Sequence, residues 1–144
     1  MQKSLQQEKR NATMDRVVLD TNVIISAALS NLGNPARIVE MVSDGVIDIY
    51  YSDDILAEYA EVLSRDRLGF SKDKQVAAID MIIKNGFFID PIESATQLPD
   101  MDDIIFYDAA KSANAYLITG NIKHYPADNF VMTPAQFLEL VDEV

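Results

Sequence analysis

Apolar and polar residues alternate along this chain in blocks that predict strands and helices in turn. The first block is the apolar run Val17–Leu19, which ends on Asp20 and is followed by a helical pattern with Asn22 as its expected N-cap. Four more strands are predicted by apolar or β-branched runs at residues 46–51, 87–89, 115–119 and 130–132. Because helical patterns separate most of these runs, the chain is expected to be an α/β protein with a largely parallel sheet.

The carboxylate at position 20 is the first candidate for a functional group. In an open parallel sheet, ligands bind beyond the carboxyl ends of the strands, so Asp20 is expected to face such a site. The alternative is that Asp20 and Asn22 only end a strand and cap a helix, and local preferences alone do not decide between the two.

A second acidic stretch, Asp100, Asp102 and Asp103, lies at the mouth of a predicted helix. One or two acids there would be explained by helix capping and the helix dipole. Asp100, Asp102 and Asp103 also repel one another, and a divalent cation would relieve that repulsion. On a helical wheel Asp103 shares a face with Phe106 and Tyr107, so Asp103 is expected to point inward and the other two acids to be peripheral.

Other polar residues are weaker candidates. Glu58 falls at the edge of the apolar face of the helix predicted from residue 53, and Asn121 follows the strand 115–119 at the same sheet edge as Asp20. Thr119 could hydrogen-bond a carboxylate, although its β propensity explains its position equally well. His124 is a lone histidine in a loop, and such residues are more often structural than ligands, so it is left out of the metal set.

Length and composition indicate one domain. The chain has 144 residues, 49% of them hydrophobic, which is enough for a sizeable core. Residues 1–13 are polar and lack periodicity, so they are expected to be a disordered tail, and residues 14–144 are expected to form the domain. The first residues contain no apolar signal segment and no stretch has the length of a membrane span, so a cytoplasmic location is expected.

Charge and cysteine content narrow the chemistry further. The net charge is −11, and it opposes broad electrostatic binding of nucleic acid. It suits a basic protein partner, or a site that fills with cations before a polyanion approaches. With no cysteine and one histidine, oxygen ligands would dominate any metal site, and these favour Mg²⁺ or Mn²⁺.

Three stretches carry a resemblance to a known family. They are VVLDTNVIISAAL at 17–29, LAEYAEVL at 56–63, and DDIIFYDAAKSANAYLITGN at 102–121 with the following KHYP. In this order and spacing the chain resembles the PIN-domain ribonucleases, in particular the toxin components of bacterial type II toxin–antitoxin systems. The resemblance implies a three-layer α/β/α sandwich around a mainly parallel sheet of about five strands.

The resemblance also implies roles for individual residues. Asp20, Glu58 and Asp103 fall on the family's metal-binding acids, and Asn121 falls on a fourth catalytic position where many relatives have Asp. The supporting polar residues correspond to Thr21, Asn22, Thr119 and Asp102. The implied protein is an endoribonuclease that uses Mg²⁺ or Mn²⁺ to cut single-stranded RNA and leave a 5′-phosphate. A homodimer is implied, as is an antitoxin partner with a basic tail that covers the acidic site.

Two other functions stay open at this point. A catalytically weakened PIN-like module that binds RNA or protein is favoured by Asn121 and the acidic surface, and opposed by the intact acids at positions 20, 58 and 103. A haloacid dehalogenase-type phosphatase also has an Asp after its first strand, but that class needs a second Asp where this chain has Asn22.

Overall fold

The apolar runs of the sequence form a five-stranded sheet in the computed structural model, which describes residues 16–142. The predicted tail, residues 1–13, lies outside the described residues. The strands are β1 (Arg16–Leu19), β2 (Asp48–Tyr51), β3 (Phe87–Phe88), β4 (Tyr116–Ile118) and β5 (Val131–Met132). The six α-helices of the described range are α1 (Thr21–Leu29), α2 (Asn34–Ser43), α3 (Asp53–Leu63), α4 (Lys72–Asn85), α5 (Ile104–Ala113) and α6 (Pro134–Asp142), and three short 3₁₀ helices span Asp66–Leu68, Met101–Asp103 and Ile122–His124.

The sheet has the order β3-β2-β1-β4-β5, and all neighbouring strands are parallel. This confirms the predicted α/β fold and its count of strands, with a sheet that is wholly rather than mainly parallel. The chain builds the sheet outward from β1 in one direction and then returns to add β4 on the other side of β1. That reversal creates a switch point between β1 and β4, where the loops leave the sheet in opposite directions.

The central strands are buried on both faces, which explains their continuous apolar sequence. Val17, Val18 and Leu19 of β1 have no exposed surface, and neither have Leu117 and Ile118 of β4. Helix α5 packs on β1, β2 and β4, whereas α1 packs on α2 and α6 also packs on α2. The helices thus cover the sheet and leave its carboxyl edge for the loops.

Helix starts are fixed by local side chains. The Ser52 hydroxyl caps α3 by accepting a hydrogen bond from the amide of Ile55 at 3.2 Å. Thr133 and Gln136 form a reciprocal capping box at the start of α6, with distances of 2.9 and 3.1 Å. No helix within residues 16–142 is long and apolar enough to cross a membrane.

The prediction that Asn22 caps the first helix is wrong. Helix α1 begins at Thr21 with Asp20 at the N-cap, and the Asp20 side chain makes no capping hydrogen bond. The reason is tertiary, because the Asp20 carboxylate is bonded to Thr119 and Tyr125 instead. Asn22 lies in the first turn of the helix and bonds to the amide of Gly120, which follows β4.

Candidate active site

The strand register brings the first candidate residues together at the switch point. Leu19 of β1 pairs with Ile118 of β4, so the next residue in each chain segment, Asp20 or Thr119, lies at the carboxyl edge of the sheet. The amide of Asp20 extends the pairing by donating to the carbonyl oxygen of Ile118 at 3.0 Å. The predicted position of Asp20 at the likeliest ligand site of the sheet is therefore matched by the geometry.

Asp20 is buried and held by two hydroxyl groups. Asp20 is 7% exposed, and its Oδ2 accepts hydrogen bonds from Thr119 Oγ1 and Tyr125 OH, both at 2.9 Å. Such charge-assisted bonds offset the cost of removing a carboxylate from water. Within the described part of the chain no hydrogen bond reaches Oδ1, so this oxygen remains available for a ligand.

Two buried tyrosines beside Asp20 were not anticipated from the sequence. Tyr125 donates to the carboxylate itself, and Tyr59 donates to the carbonyl oxygen of Leu19, the residue before it. Burial, followed by the negative charge of Asp20, raises the pKa of both phenols well above the usual range. Both hydroxyls therefore stay protonated and act as donors. The KHYP string was the available signal for Tyr125, whereas Tyr59 resembled an ordinary core residue.

Asp103 is the most buried of the three neighbouring acids, as the helical wheel predicted. It precedes α5, its side chain is 18% exposed, and its Oδ2 is 3.1 Å from His124 Nδ1. Burial raises the pKa of Asp103, the charge of Asp20 raises it further, and the hydrogen bond with His124 lowers it. Asp103 and Asp20 are thus bonded to adjacent residues, His124 and Tyr125, of the segment after β4.

His124 connects Asp103 to Asn121. While Nδ1 contacts Asp103, Nε2 is 2.9 Å from the amide nitrogen of Asn121. Asn121 is exposed, and its own backbone amide donates to Thr119 Oγ1 at 3.0 Å. The structure thus places Asn121 at the predicted edge and adds His124, which sequence reasoning had left out.

Glu58 reaches the site through Thr21. The hydroxyl of buried Thr21 donates to Glu58 Oε2 at 3.4 Å, and Thr21 directly follows Asp20. Asn22 supports the same region by accepting from the amide of Gly120 at 2.9 Å and contacting Thr119 Oγ1 at 3.4 Å. These contacts tie the start of α1 to α3 on one side and to the turn after β4 on the other.

Asp102 is not brought into this network. Its residue is exposed, and its backbone amide is bonded to the side chain of Asp100 at 3.0 Å in the short 3₁₀ helix Met101–Asp103. Among residues 16–142 the Asp102 carboxylate makes no hydrogen bond to another predicted site residue. Capping and exposure account for its place in the structure.

The oxygen donors of this site suit a hard divalent cation. No three His, Asp or Glu side chains within residues 16–142 form a group arranged to hold a metal ion. Mg²⁺ does not require one, because it keeps several waters and is commonly bound through one or two carboxylates together with substrate phosphates. Asp20 and Asp103, with Glu58 nearby, fit that requirement in the chemistry of their donors.

A cleft of about 310 Å³ lies between the start of α1 and the turn after β4. Its lining is uncharged and includes Asn22, Ser26, Pro35, Gly120, Asn121 and Pro134.

The chain has relatives in sequence and in structure. It is 29% identical to the uncharacterized protein MJ1680 of Methanocaldococcus jannaschii, in an alignment that covers 92% of this chain and 95% of the relative. Its fold is similar to that of a chain in the crystal structure of VapBC2 from Rickettsia felis bound to a DNA fragment from their promoter. That match has a TM-score of 0.57 at 19% identity and covers 82% of this chain and 96% of the other, and it supports the fold alone.

A family model described as the PIN domain matches residues 16–123. The matched range contains all the site residues predicted from the sequence, from Asp20 to Asn121, and it ends just before His124. The chain belongs to the PIN-domain family.

Proposed function

We propose that this protein is a Mg²⁺- or Mn²⁺-dependent endoribonuclease that hydrolyses phosphodiester bonds of single-stranded RNA, and the toxin of a toxin–antitoxin pair. The observation that carries the proposal is that Asp20 and Asp103 are bonded to adjacent residues of the segment after β4, Asp20 to Tyr125 at 2.9 Å and Asp103 to His124 at 3.1 Å. Asp20 comes from the end of β1 and Asp103 from the start of α5, and Glu58 lies beside them through Thr21. Membership of the PIN-domain family supports the same chemistry.

In the proposed mechanism, Asp20, Glu58 and Asp103 would hold the divalent cation, whose chemistry would be to neutralise nonbridging phosphate oxygens and lower the pKa of an attacking water. Thr119 and Tyr125 fix the orientation of Asp20 by occupying Oδ2, which leaves Oδ1 for the cation. Thr21 holds Glu58, and Asn22 keeps the turn after β4 against α1.

The acidic chain also supports the proposed partners. A net charge of −11 is suited to an antitoxin whose basic tail covers the carboxylates, and it accounts for the need for cations before RNA can bind. The similarity of fold to a chain of a VapBC2 structure is consistent with such a partnership. We also propose a homodimer, following the resemblance to the toxin components.

A binding module with weakened catalysis is the second candidate. Asn121 stands where many relatives have a fourth acid, and its amide nitrogen is engaged with His124. This candidate predicts RNA or protein binding without cleavage. The phosphatase alternative has less support, because Asn22, in place of the required second Asp, is bonded to Gly120 and Thr119.

The decisive experiment compares cleavage of a labelled single-stranded RNA by the parent, Asp20→Asn and Asp102→Asn. Asp102→Asn is a matched control because it removes an exposed carboxylate outside the network. We expect Mg²⁺-dependent cleavage that chelation abolishes, 5′-phosphate ends, loss of cleavage in Asp20→Asn, and nearly parental activity in Asp102→Asn. Undiminished cleavage by folded Asp20→Asn would refute the assignment, and binding without cleavage by the parent would favour the second candidate.

A further inference from the structure

His124 makes one contact with the proposed metal site and one contact away from it. Nδ1 is 3.1 Å from Asp103 Oδ2, and Nε2 is 2.9 Å from the amide nitrogen of Asn121. The imidazole is partly buried, and Asn121 is exposed, so the contact with Asp103 is the inner one. A loop histidine held at both ring nitrogens has a defined orientation.

The chemistry of the two partners determines the tautomer of the ring. An ionised carboxylate accepts hydrogen bonds and cannot donate them, so the hydrogen between His124 and Asp103 belongs to Nδ1. In the neutral imidazole Nε2 then carries a lone pair, and it accepts the hydrogen that the Asn121 amide donates. Both contacts are therefore satisfied by one tautomer, with the hydrogen on Nδ1 and the lone pair on Nε2.

We propose that His124 is a positioning residue, which holds Oδ2 of Asp103 through its Nδ1–H while Asn121 fixes the imidazole tautomer from the other side. The inference rests on the proposed role of Asp103 as a metal ligand. It gives Asp103 the arrangement already seen at Asp20, where donors occupy Oδ2 and no hydrogen bond within the described residues reaches Oδ1. Both carboxylates thus have one restrained oxygen and one oxygen available to the cation.

The proposal also changes the role of Asn121. Its amide nitrogen is engaged with His124, and its backbone amide is engaged with Thr119 Oγ1, the same hydroxyl that donates to Asp20. Asn121 therefore acts on both acids through an intermediate residue rather than as a ligand itself. An Asp at this position could not donate a hydrogen bond to Nε2, whereas the amide of Asn121 can.

The tautomer can be measured without metal or RNA. The chain contains a single histidine, so nitrogen-15 NMR of the untagged, metal-free protein shows one imidazole. In a mildly alkaline buffer we expect the pattern of an Nδ1-protonated ring. In Asn121→Ala we expect part of the population to shift to the Nε2-protonated form. An Nε2-protonated ring in the parent would overturn the proposal.

Metal affinity tests the consequence for Asp103. Outer partners of metal ligands typically change affinity by about 10- to 100-fold, so His124→Ala should weaken Mn²⁺ binding by that factor in calorimetry. His124→Asn places an amide donor near the position of Nδ1 and should restore affinity to within a few-fold of the parent. Lys123→Ala, an exposed neighbour in the same short helix, is the matched control and should bind Mn²⁺ as the parent does.

The outcomes separate this inference from the proposed function. Parental Mn²⁺ affinity in His124→Ala, or equal losses in His124→Ala and His124→Asn, would overturn the positioning role. Neither result would alter the expected loss of cleavage in Asp20→Asn. Conversely, an Asp20→Asn variant that still cuts RNA would refute the nuclease site and leave the measured tautomer intact.

Discussion

Removing the Tyr125 hydroxyl tests how much the site depends on a single hydrogen bond. The hydroxyl donates to Asp20 Oδ2 at 2.9 Å, and Tyr125 is only 6% exposed. Tyr125→Phe keeps the ring that fills this space and deletes one oxygen atom. The carboxylate then retains Thr119 as its remaining donor to Oδ2 among the described residues.

The expected cost follows from the charge of the acceptor. A hydrogen bond to an ionised group contributes about 1.5 to 3 kcal/mol, because its loss leaves a buried charge with less compensation. With a neutral acceptor in place of Asp20, the same bond contributes about 0.5 to 1.5 kcal/mol. We therefore expect Tyr125→Phe to lower the free energy of unfolding by about 2 kcal/mol in the parent and by about 1 kcal/mol in an Asp20→Asn background.

The assay is a double-mutant cycle measured by urea unfolding at neutral pH in the presence of a chelator. Four proteins are compared: the parent, Tyr125→Phe, Asp20→Asn and the double variant. Tyr116→Phe is the matched control, because the Tyr116 hydroxyl makes no hydrogen bond within residues 16–142, and its ring lies 6.1 Å from that of Phe137. We expect that control to change stability by less than about 0.5 kcal/mol. Equal costs of Tyr125→Phe in both backgrounds would refute the charge-assisted bond.

The remaining predictions concern a metal ligand, an alkaline transition and a packing contact. In chelator, Asp103→Asn should leave the free energy of unfolding near pH 7 unchanged or higher, because the pKa of Asp103 is raised in the folded protein and its ionised form therefore opposes folding. In thermal melts, the Asp103→Asn variant should also lose most of the stabilisation that Mg²⁺ gives the parent. A variant that melts lower in chelator and gains as much from Mg²⁺ as the parent would contradict this. Burial and the bond to Asp128 raise the pKa of Tyr107 from 10.0 to about 12, so the unfolded state releases this proton first and stability should fall over that range. Tyr107→Phe should reduce the slope of the fall in unfolding experiments. Gly86→Ala should lower the free energy of unfolding by about 1 to 3 kcal/mol, because a Cβ there would lie 2.6 Å from the carbonyl oxygen of Ile82; an unchanged urea midpoint would show that the backbone relaxes.

The features that the sequence predicted well depend on the local spacing of apolar and polar residues. The apolar run of β1 predicted a strand, and the helical wheel predicted which of the three neighbouring acids points inward. Both depend on spacing within a few residues, which a single sequence displays directly. The strands β2 to β5 are shorter than the runs that predicted them, because the apolar pattern extends beyond the paired residues at one end or both.

The features that the sequence did not predict depend on contacts across the chain. Tyr125 bonds to a carboxylate 105 residues away, and Asn22 bonds to an amide 98 residues away. His124 reaches Asp103 across 21 residues and a strand. Local preference assigns such residues to a loop or a helix cap, and only the packing of β4 against β1 shows their partners.

The position of β1 in the middle of the sheet sets the order in which the site can form during synthesis. Strands β2 and β3 are available to pair on one side of β1 before β4 has been made. The other side of β1 stays unpaired until Tyr116–Ile118 emerges, and the donors to Asp20 arrive only with Thr119 and Tyr125. Pairing β4 with β1 closes the long segment of chain between them, which is entropically costly, so this pairing is expected late in folding. A nascent chain whose residue 125 is still inside the ribosome therefore lacks an assembled candidate site, and the proposed activity can begin only once nearly the whole domain has been translated.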